Sequence, residues 1–332
     1  RSQTSPGGTD KDSEVNVTQK FAGLDVVALA GGVGGARLAH GLAQILPPDR
    51  LSVVVNTGDD FEHWGLTICP DVDTVMYTLG GVAHPQTGWG RADETFHCLE
   101  AMDALGGPTW FRLGDRDLAT HLRRTQWLRA GDTLTEVTRR LAAALDVGPA
   151  LLPMTDAPYR TRVLSDEGEL GFQTYFVKRR CEPTVHGFRW EDPQGARPTS
   201  AVLAALARAD LVVICPSNPF VSIDPILSLP GMRDHVAALP TVAVSPILGG
   251  EVVKGPAAKM SRELGVVPSA PAVARHYQDL LAGFVLDEMD AALVPTVAAL
   301  GMAAQALPTL MVNPAQRRPV AQDVLTFASS LL

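Results

Sequence analysis

The chain has 332 residues, of which 28 are Lys or Arg and 36 are Asp or Glu, giving a formal net charge of −8, with 46% hydrophobic and 19% charged residues. That composition excludes a disordered polymer, a collagen-like repeat and a disulfide scaffold, and supplies enough apolar side chain for one large α/β domain or two ordinary ones. The acidic balance argues against general binding to nucleic acid or to an anionic membrane, so a polyanionic substrate needs local basic residues or a metal ion.

Residues 1–22 are polar, contain no apolar core of signal-peptide type and are expected to be a flexible leader. Residues 23–332 are expected to form a single domain with a smaller inserted subregion at about 158–197. No stretch approaches the roughly 18 apolar residues of a membrane helix, which points to a protein in solution, with the cytoplasm as the expected compartment. Cys69, Cys98, Cys181 and Cys215 are dispersed without C-x-x-C spacing and read as buried, reduced thiols.

From Leu24 the run LDVVALA has strand character, stops at glycines and leads into ARLAHGLAQIL, which has helical spacing; LSVVV follows the Pro47-Pro48 break. These three pieces make a β-α-β unit with parallel strands. DVDTVMYTLGG, DETFHCLEAMDALGG, DLATHLRRTQWLRAGD and DTLTEVTRRLAAAL read as helices. Around Asp166-Glu167-Gly168 the alternation of apolar and polar residues predicts a β-rich excursion. The α/β rhythm then returns with SAVLAALARAD (helix), LVVICPSNP (strand and loop), DPILSLPGMRDHVAAL (one helix) and TVAVSPI (strand).

Gly31, Gly32, Gly34 and Gly35 fall between the first strand and its helix, where glycine lets backbone approach a phosphate and free N–H groups supply positive potential. Arg37, expected in the first helical turn, extends that anion site, and it stands where a dinucleotide fingerprint requires its third glycine or alanine. Asn56 ends the second strand where a ribose-binding acid would stand, so an NAD-dependent oxidoreductase is disfavoured. Asp59 and Asp60 follow at the carboxyl end of that strand, and Asp71 and Asp73 open the next helix. Asp71 has the position of a helix cap. Asp59, Asp60 and Asp73 cap nothing and repel one another, which a hard divalent cation or a hydroxyl ligand would relieve.

In RLGDRDLATHL, Asp117 is expected to cap the helix and Leu118 and Leu122 to form its buried stripe, leaving Arg112 and Arg116 as anion contacts and His121 as a packing residue before a catalyst. Ser217 and Asn218 are held by flanking prolines at the end of another strand and read either as ligand contacts or as a rigid turn. Lys254 and Lys259 add positive charge and read by default as solvated surface lysines.

Taken together, GGVGGAR, NTGDD, CPDVDTVMYTLGG, GWGRADETF, LGDRDLATHL, CPSNPFVSI and VSPI resemble the 2-phospho-L-lactate transferase family of coenzyme F-420 biosynthesis, whose actinobacterial relatives use a phosphoenolpyruvyl donor. Seven motifs in one order, from about Leu24 to about Asp287, make the resemblance specific. It implies a Rossmann-like, mainly parallel sheet flanked by helices and a magnesium-dependent transfer. In that reaction the deazaflavin alcohol FO attacks a guanosine diphosphate-linked phospholactate or phosphoenolpyruvate and GMP is released.

The resemblance implies Asp59 and Asp73 as the metal and FO-contacting acids and Arg112 as the basic FO contact. With Asp60 as a neighbouring candidate, the expected catalytic residues are Asp59, Asp60 and Asp73, the expected Mg2+ ligands Asp59 and Asp73, and the expected FO contacts Asp73 and Arg112. Gly31, Gly32, Gly34, Gly35, Arg37, Arg116, Ser217 and Asn218 are then the donor phosphate contacts, and Asp60 is the choice for assisting the attacking hydroxyl. FO and the guanylyl donor are the expected partners, with no nucleic acid or membrane, and a homodimer is allowed. The competing class is a non-enzymatic sugar-nucleotide-binding regulator of the gluconeogenesis-factor type, against which the acidic pair and LGDRDLATH argue.

Overall fold

A computed structural model of the chain describes residues 19–192, 194–252 and 255–332. Near-unbroken apolar runs make strands buried on both faces: VVALA (Val26–Ala30), LSVVV (Leu51–Val55), LVVI (Leu211–Ile214) and TVAV (Thr241–Val244) have no exposed position. With Ala150–Pro153, Gly283–Asp287 and Ala303–Leu307 they form a seven-stranded parallel sheet. Its spatial order is Ala303–Leu307, Gly283–Asp287, Thr241–Val244, Leu211–Ile214, Val26–Ala30, Leu51–Val55, Ala150–Pro153.

Helices cover both faces. Leu38 and Leu42 of the Gly32–Ala43 helix, Val72, Val75 and Met76 of Pro70–Leu79, and Val324 and Leu325 of Pro314–Ser329 pack on one side. Val202 and Leu206 of Ser200–Arg208, Met232 and Val236 of Met232–Ala237, and Val273 and Ala274 of Ala270–His276 pack on the other. The first strand pairs with the second through Val26–Leu51 and with the fourth sheet strand through Val26–Leu211, so the chain reverses its direction of growth across the first strand. Loops leaving the carboxyl ends of those two strands diverge there and open a crevice, the general binding place of open α/β sheets.

The β-rich excursion is a three-stranded antiparallel sheet of Gly168–Gly171, Arg160–Ser165 and Val185–Glu191, turned at Gly168 with φ 97°. Between Thr174 and Lys178 it carries one π-helical turn, and Val163, Phe172, Tyr175 and Val185 give it a small core shared with Val221 and Met260.

Three local readings are corrected. DPILSLPGMRDHVAAL is two helices, Asp224–Leu227 and Met232–Ala237, because Pro230 cannot continue the first and Gly231 adopts φ 77° between them. A hairpin unforeseen in the sequence, Phe61–His63 with Leu66–Ile68, turns through Trp64 and Gly65, both with positive φ. Phe21, inside the stretch expected to be leader, is buried in the core at 2% exposure; residues 1–18 of that stretch, like Lys254, lie outside the described residues. Of the four free cysteines, Cys69 and Cys215 are buried while Cys98 and Cys181 are only partly so. Among the described residues no helix is long and apolar enough to cross a membrane.

Candidate active site at the sheet switch point

The helix after the first strand begins inside the glycine cluster, at Gly32, with Gly31 in extended conformation before it and no side-chain cap of its own. Arg37 therefore stands in the second turn, not the first. The glycines answer two needs. Gly32 takes φ 60°, which a side chain resists. A Cβ on Gly34 would overlap the Pro216 carbonyl, and one on Gly35 would overlap Ser217 Oγ, so these two let the loops of the switch point close on each other. Ser217 Oγ accepts the Gly31 N–H at 3.2 Å.

Asn56 organises the acids. Its Oδ1 accepts the Gly58 N–H at 2.7 Å, and its Nδ2 faces Asp59 Oδ1 at 3.0 Å, Asp71 Oδ2 at 2.9 Å and the Val221 carbonyl at 3.0 Å. Asp71 does not cap its own helix, Pro70–Leu79. It is the second residue of that helix, and its Oδ1 accepts the Gly32 N–H at 2.8 Å, so it ties down the start of the glycine helix instead. Burial, then the Asp71 charge, pushes the Asp59 carboxyl well above its ordinary range, against the Asn56 hydrogen bond. Burial raises Asp71 to about 6, opposed by Asn56 and Gly32. Asp60 is raised to about 8 by burial, opposed by a hydrogen bond with Cys69 and the Arg124 charge.

Asp73 is neutralised from the helix Asp115–Arg129. Arg124, wholly buried, closes both arms of its guanidinium on the Asp73 carboxylate, with NH1 donating to Oδ2 at 3.0 Å and NH2 to Oδ1. Arg124 NH1 also lies 3.1 Å from His121 Nδ1. A guanidinium only donates, so Nδ1 is the acceptor, and His121 Nε2 lies 3.3 Å from Asp117 Oδ1. Tyr77 donates its hydroxyl to the same Asp117 oxygen at 2.6 Å. Burial works to raise the Asp117 carboxyl, but its neighbours His121, Tyr77 and Arg124 outweigh it and hold it below the ordinary range.

The expected buried stripe of this helix is corrected accordingly. Leu122 is 51% exposed, and the buried residues are Thr120, His121, Arg124 and Thr125, because this helix turns its polar face towards the acids. Asp117 lies within the first turn, while the helix start is held by Glu94, whose carboxylate accepts the Arg116 and Asp117 N–H groups.

These groups surround a cavity of about 970 Å³. Its lining brings together Gly31, Gly32, Gly34, Arg37, Ser217 and Asn218, the polar groups Asp59, Asp71, Asp73, Asp117 and His121, and Trp89, Trp110, Phe111 and Arg112. The Arg112 guanidinium stacks 4.4 Å from the Phe96 ring centre, and Trp110 and Phe111 pack edge-on against His63 and Phe61. Phe172 and Phe176, stacked at 5.5 Å, and Lys178 and Arg180 close it from the excursion.

Ten of the twelve residues singled out in the sequence line this cavity or pack directly behind its lining: Gly35 is behind, against Ser217. Two of the twelve stand apart. Arg116 is outside the lining, 56% exposed and 3.9 Å from Asp93. Asp60 is not among the lining residues, and burial raises its carboxyl to about 8 in the metal-free protein. Asn218 spends its Oδ1 on the Phe220 N–H at 3.0 Å, so its role is at least partly that of a turn residue. Arg124, Asp117, Tyr77, Gln173 and the aromatic wall were missed as site residues; of these only the LGDRDLATHLRR charge pattern gave a signal.

The donor set fits a hard divalent cation. Among the described residues Asp59 and Asp71 have no cationic partner, yet both face the cavity; Asp73, Asp117 and His121 offer ligand atoms all within 4.8 Å of one another.

Residues 26–324 match the family model of 2-phospho-L-lactate transferase CofD. The chain is 44% identical over 316 residues to a phosphoenolpyruvate transferase of Streptomyces griseus, covering 93% of this chain and 99% of that one. It is likewise 44% identical over 322 residues to one of Thermobifida fusca, with the same coverage. A Mycobacterium bovis phosphoenolpyruvate transferase is 42% identical over 286 residues, 80% of this chain and 86% of that one. Among solved structures, a Bacillus halodurans protein of the UPF0052 family shares the fold with TM-score 0.60 at 14% identity, covering 91% of this chain and 99% of that one. On these matches the protein is a transferase, and the chain belongs to the 2-phospho-L-lactate transferase CofD family.

Proposed function

We propose that the protein transfers a phosphoenolpyruvyl or phospholactyl group from a guanosine diphosphate-linked donor to the terminal hydroxyl of the deazaflavin FO in coenzyme F-420 biosynthesis. The hydroxyl oxygen forms a bond to the phosphorus that carries the three-carbon acid. The bond from that phosphorus to the bridging oxygen breaks, and GMP leaves with the bonding electrons. The hydroxyl proton passes to a carboxylate or to solvent.

The observation that carries this reading is that one cavity brings together a glycine loop with Arg37, a set of acids, and aromatic side chains with Arg112. Arg37 supplies a guanidinium suited to the donor's phosphates and the start of the Gly32–Ala43 helix a positive potential, with Gly31, Gly32, Gly34 and Gly35 shaping the approach and Ser217 and Asn218 beside them. Trp89, Trp110 and Arg112 suit a flat, polar ring system such as a deazaflavin. A cavity of about 970 Å³ is at the upper end for a single small-molecule site and suits two substrates held together.

Mg2+ held by Asp59 and Asp73, with Asp71 beside them, would neutralise diphosphate charge and the charge developing on the leaving GMP. The chain's own part is to orient and to exclude water. Arg124 fixes the Asp73 carboxylate, Asn56 fixes Asp59 and Asp71, and Asp117 remains an ionised acceptor facing the cavity. Direct displacement then needs positioning more than covalent chemistry.

Titration of FO by its fluorescence, with and without saturating GDP, tests whether the cavity holds both substrates. FO should bind in both conditions; competitive loss of FO binding on adding GDP would contradict it.

A further inference from the structure

Arg37 and Arg317 stand on adjoining helices close enough for the charge of one to act on the other, and among the described residues neither has an acid partner. Gly41, one turn beyond Arg37 on the same helix face, is where a Cβ would run into the Arg317 carbonyl, so the helices Gly32–Ala43 and Pro314–Ser329 meet there backbone to backbone. Arg37 lines the cavity, as do Thr309 and Met311 of the loop that leads into the second of these helices, while Arg317, near the start of that helix, is not a lining residue. The Nε of each guanidinium is closed off from solvent without a hydrogen-bond partner, and among the described residues neither has an ion pair.

With Nε closed off, the terminal guanidinium nitrogens are what each arginine offers to a phosphate. Burial lowers the proton affinity of both arginines, and the Arg37 charge lowers that of Arg317 further. His40, on the same helix as Arg37, is pushed down to about 4 by burial and then by Arg317, so it adds no third charge. Two desolvated like charges beside a cavity destabilise the empty protein and are relieved by an anion.

We propose that Arg317 completes a phosphate subsite with Arg37, Arg37 contacting the anion and Arg317 supplying the second positive charge behind it. The assignment of that phosphate to a guanylyl donor rests on the function proposed above; the subsite itself does not.

Calorimetric titration with inorganic pyrophosphate and with GDP, on the wild-type chain, Arg317→Ala and Arg317→Lys, tests this. Arg317→Ala should weaken both ligands roughly tenfold, as expected for loss of a charged phosphate partner, and Arg317→Lys should recover most of the affinity. The melting temperature of ligand-free Arg317→Ala should equal or exceed that of wild type, since a repulsion has been removed. Unchanged binding of both ligands by Arg317→Ala would overturn the proposal, as would a wild-type chain that binds neither. Pyrophosphate binding that depends on Arg317, in a chain that ignores GDP, would keep the subsite and remove the guanylyl donor.

Discussion

Arg124 and Asp73 form a wholly buried ion pair in which both guanidinium arms grip one carboxylate, joining the helix Asp115–Arg129 to the helix Pro70–Leu79. Removing one member leaves the other charge buried without compensation. Arg124→Met should therefore lower stability by about 3–5 kcal/mol, measured by urea denaturation, whereas Asp73 and Arg124 replaced together by apolar residues should lose much less. Equal losses in the single and double variants would contradict the pairing.

The acid cluster sets the pH dependence of the metal-free protein. Asp71, at about 6, and Asp60, at about 8, hold protons in the folded state that the unfolded chain has already released, and Asp59 is raised as well. Where the folded state binds more protons than the unfolded one, stability falls as pH rises. Metal-free protein should thus melt at a lower temperature at pH 8 than at pH 5.5. The stabilisation by Mg2+ should be larger at pH 8, where the ligands are ionised. Thermal melts across that range with and without chelator check both signs; stability that rises with pH in chelator would contradict the cluster.

Gly34 separates a packing role from a binding role. From the sequence, Gly34 reads as a donor phosphate contact. Because the position faces the Pro216 carbonyl, Gly34→Ala should instead destabilise the fold by about 1–3 kcal/mol and impair both ligands. Gly32→Ala meets only open space near Asp71 and should cost about 1–2 kcal/mol through its positive φ. Denaturation curves of the two variants beside wild type give the comparison.

Arg112, expected as an FO contact, lines the cavity, whereas Arg116, expected as a donor phosphate contact, does not. Arg112→Ala should raise KM for FO by roughly tenfold, consistent with loss of a charged contact. Arg116→Ala, outside the cavity, should leave kcat and KM within about twofold, the usual effect of removing an exposed charge. Steady-state kinetics with FO varied would reveal the reverse ranking if the cavity wall were wrongly assigned.

The sheet was legible because parallel strands buried on both faces need unbroken apolar runs, and VVALA, LSVVV, LVVI and TVAV show them plainly. The acids were legible too, since NTGDD and PDVD fall at a strand end and a helix start. Their partners were not. Asp71 reads as the cap of its own helix, and only the tertiary fold brings the Gly32 N–H within 2.8 Å. The helix from Asp115 misled in another way: a leucine stripe normally faces the core, but here His121 and Arg124 turn inward to compensate buried carboxylates, and Leu122 is left in solvent. The Trp64-Gly65 turn was missed because its flanking strands are three residues each, too short to show alternation.

The most direct test of the central claim is product analysis by mass after incubating the protein with FO, Mg2+ and a guanosine diphosphate-linked phosphoenolpyruvate or phospholactate. The account predicts one GMP released for each FO consumed, a product whose mass is FO plus the phospho-acid unit, and no product in excess chelator. GMP released without any FO adduct, or no consumption of FO with either donor, would contradict it.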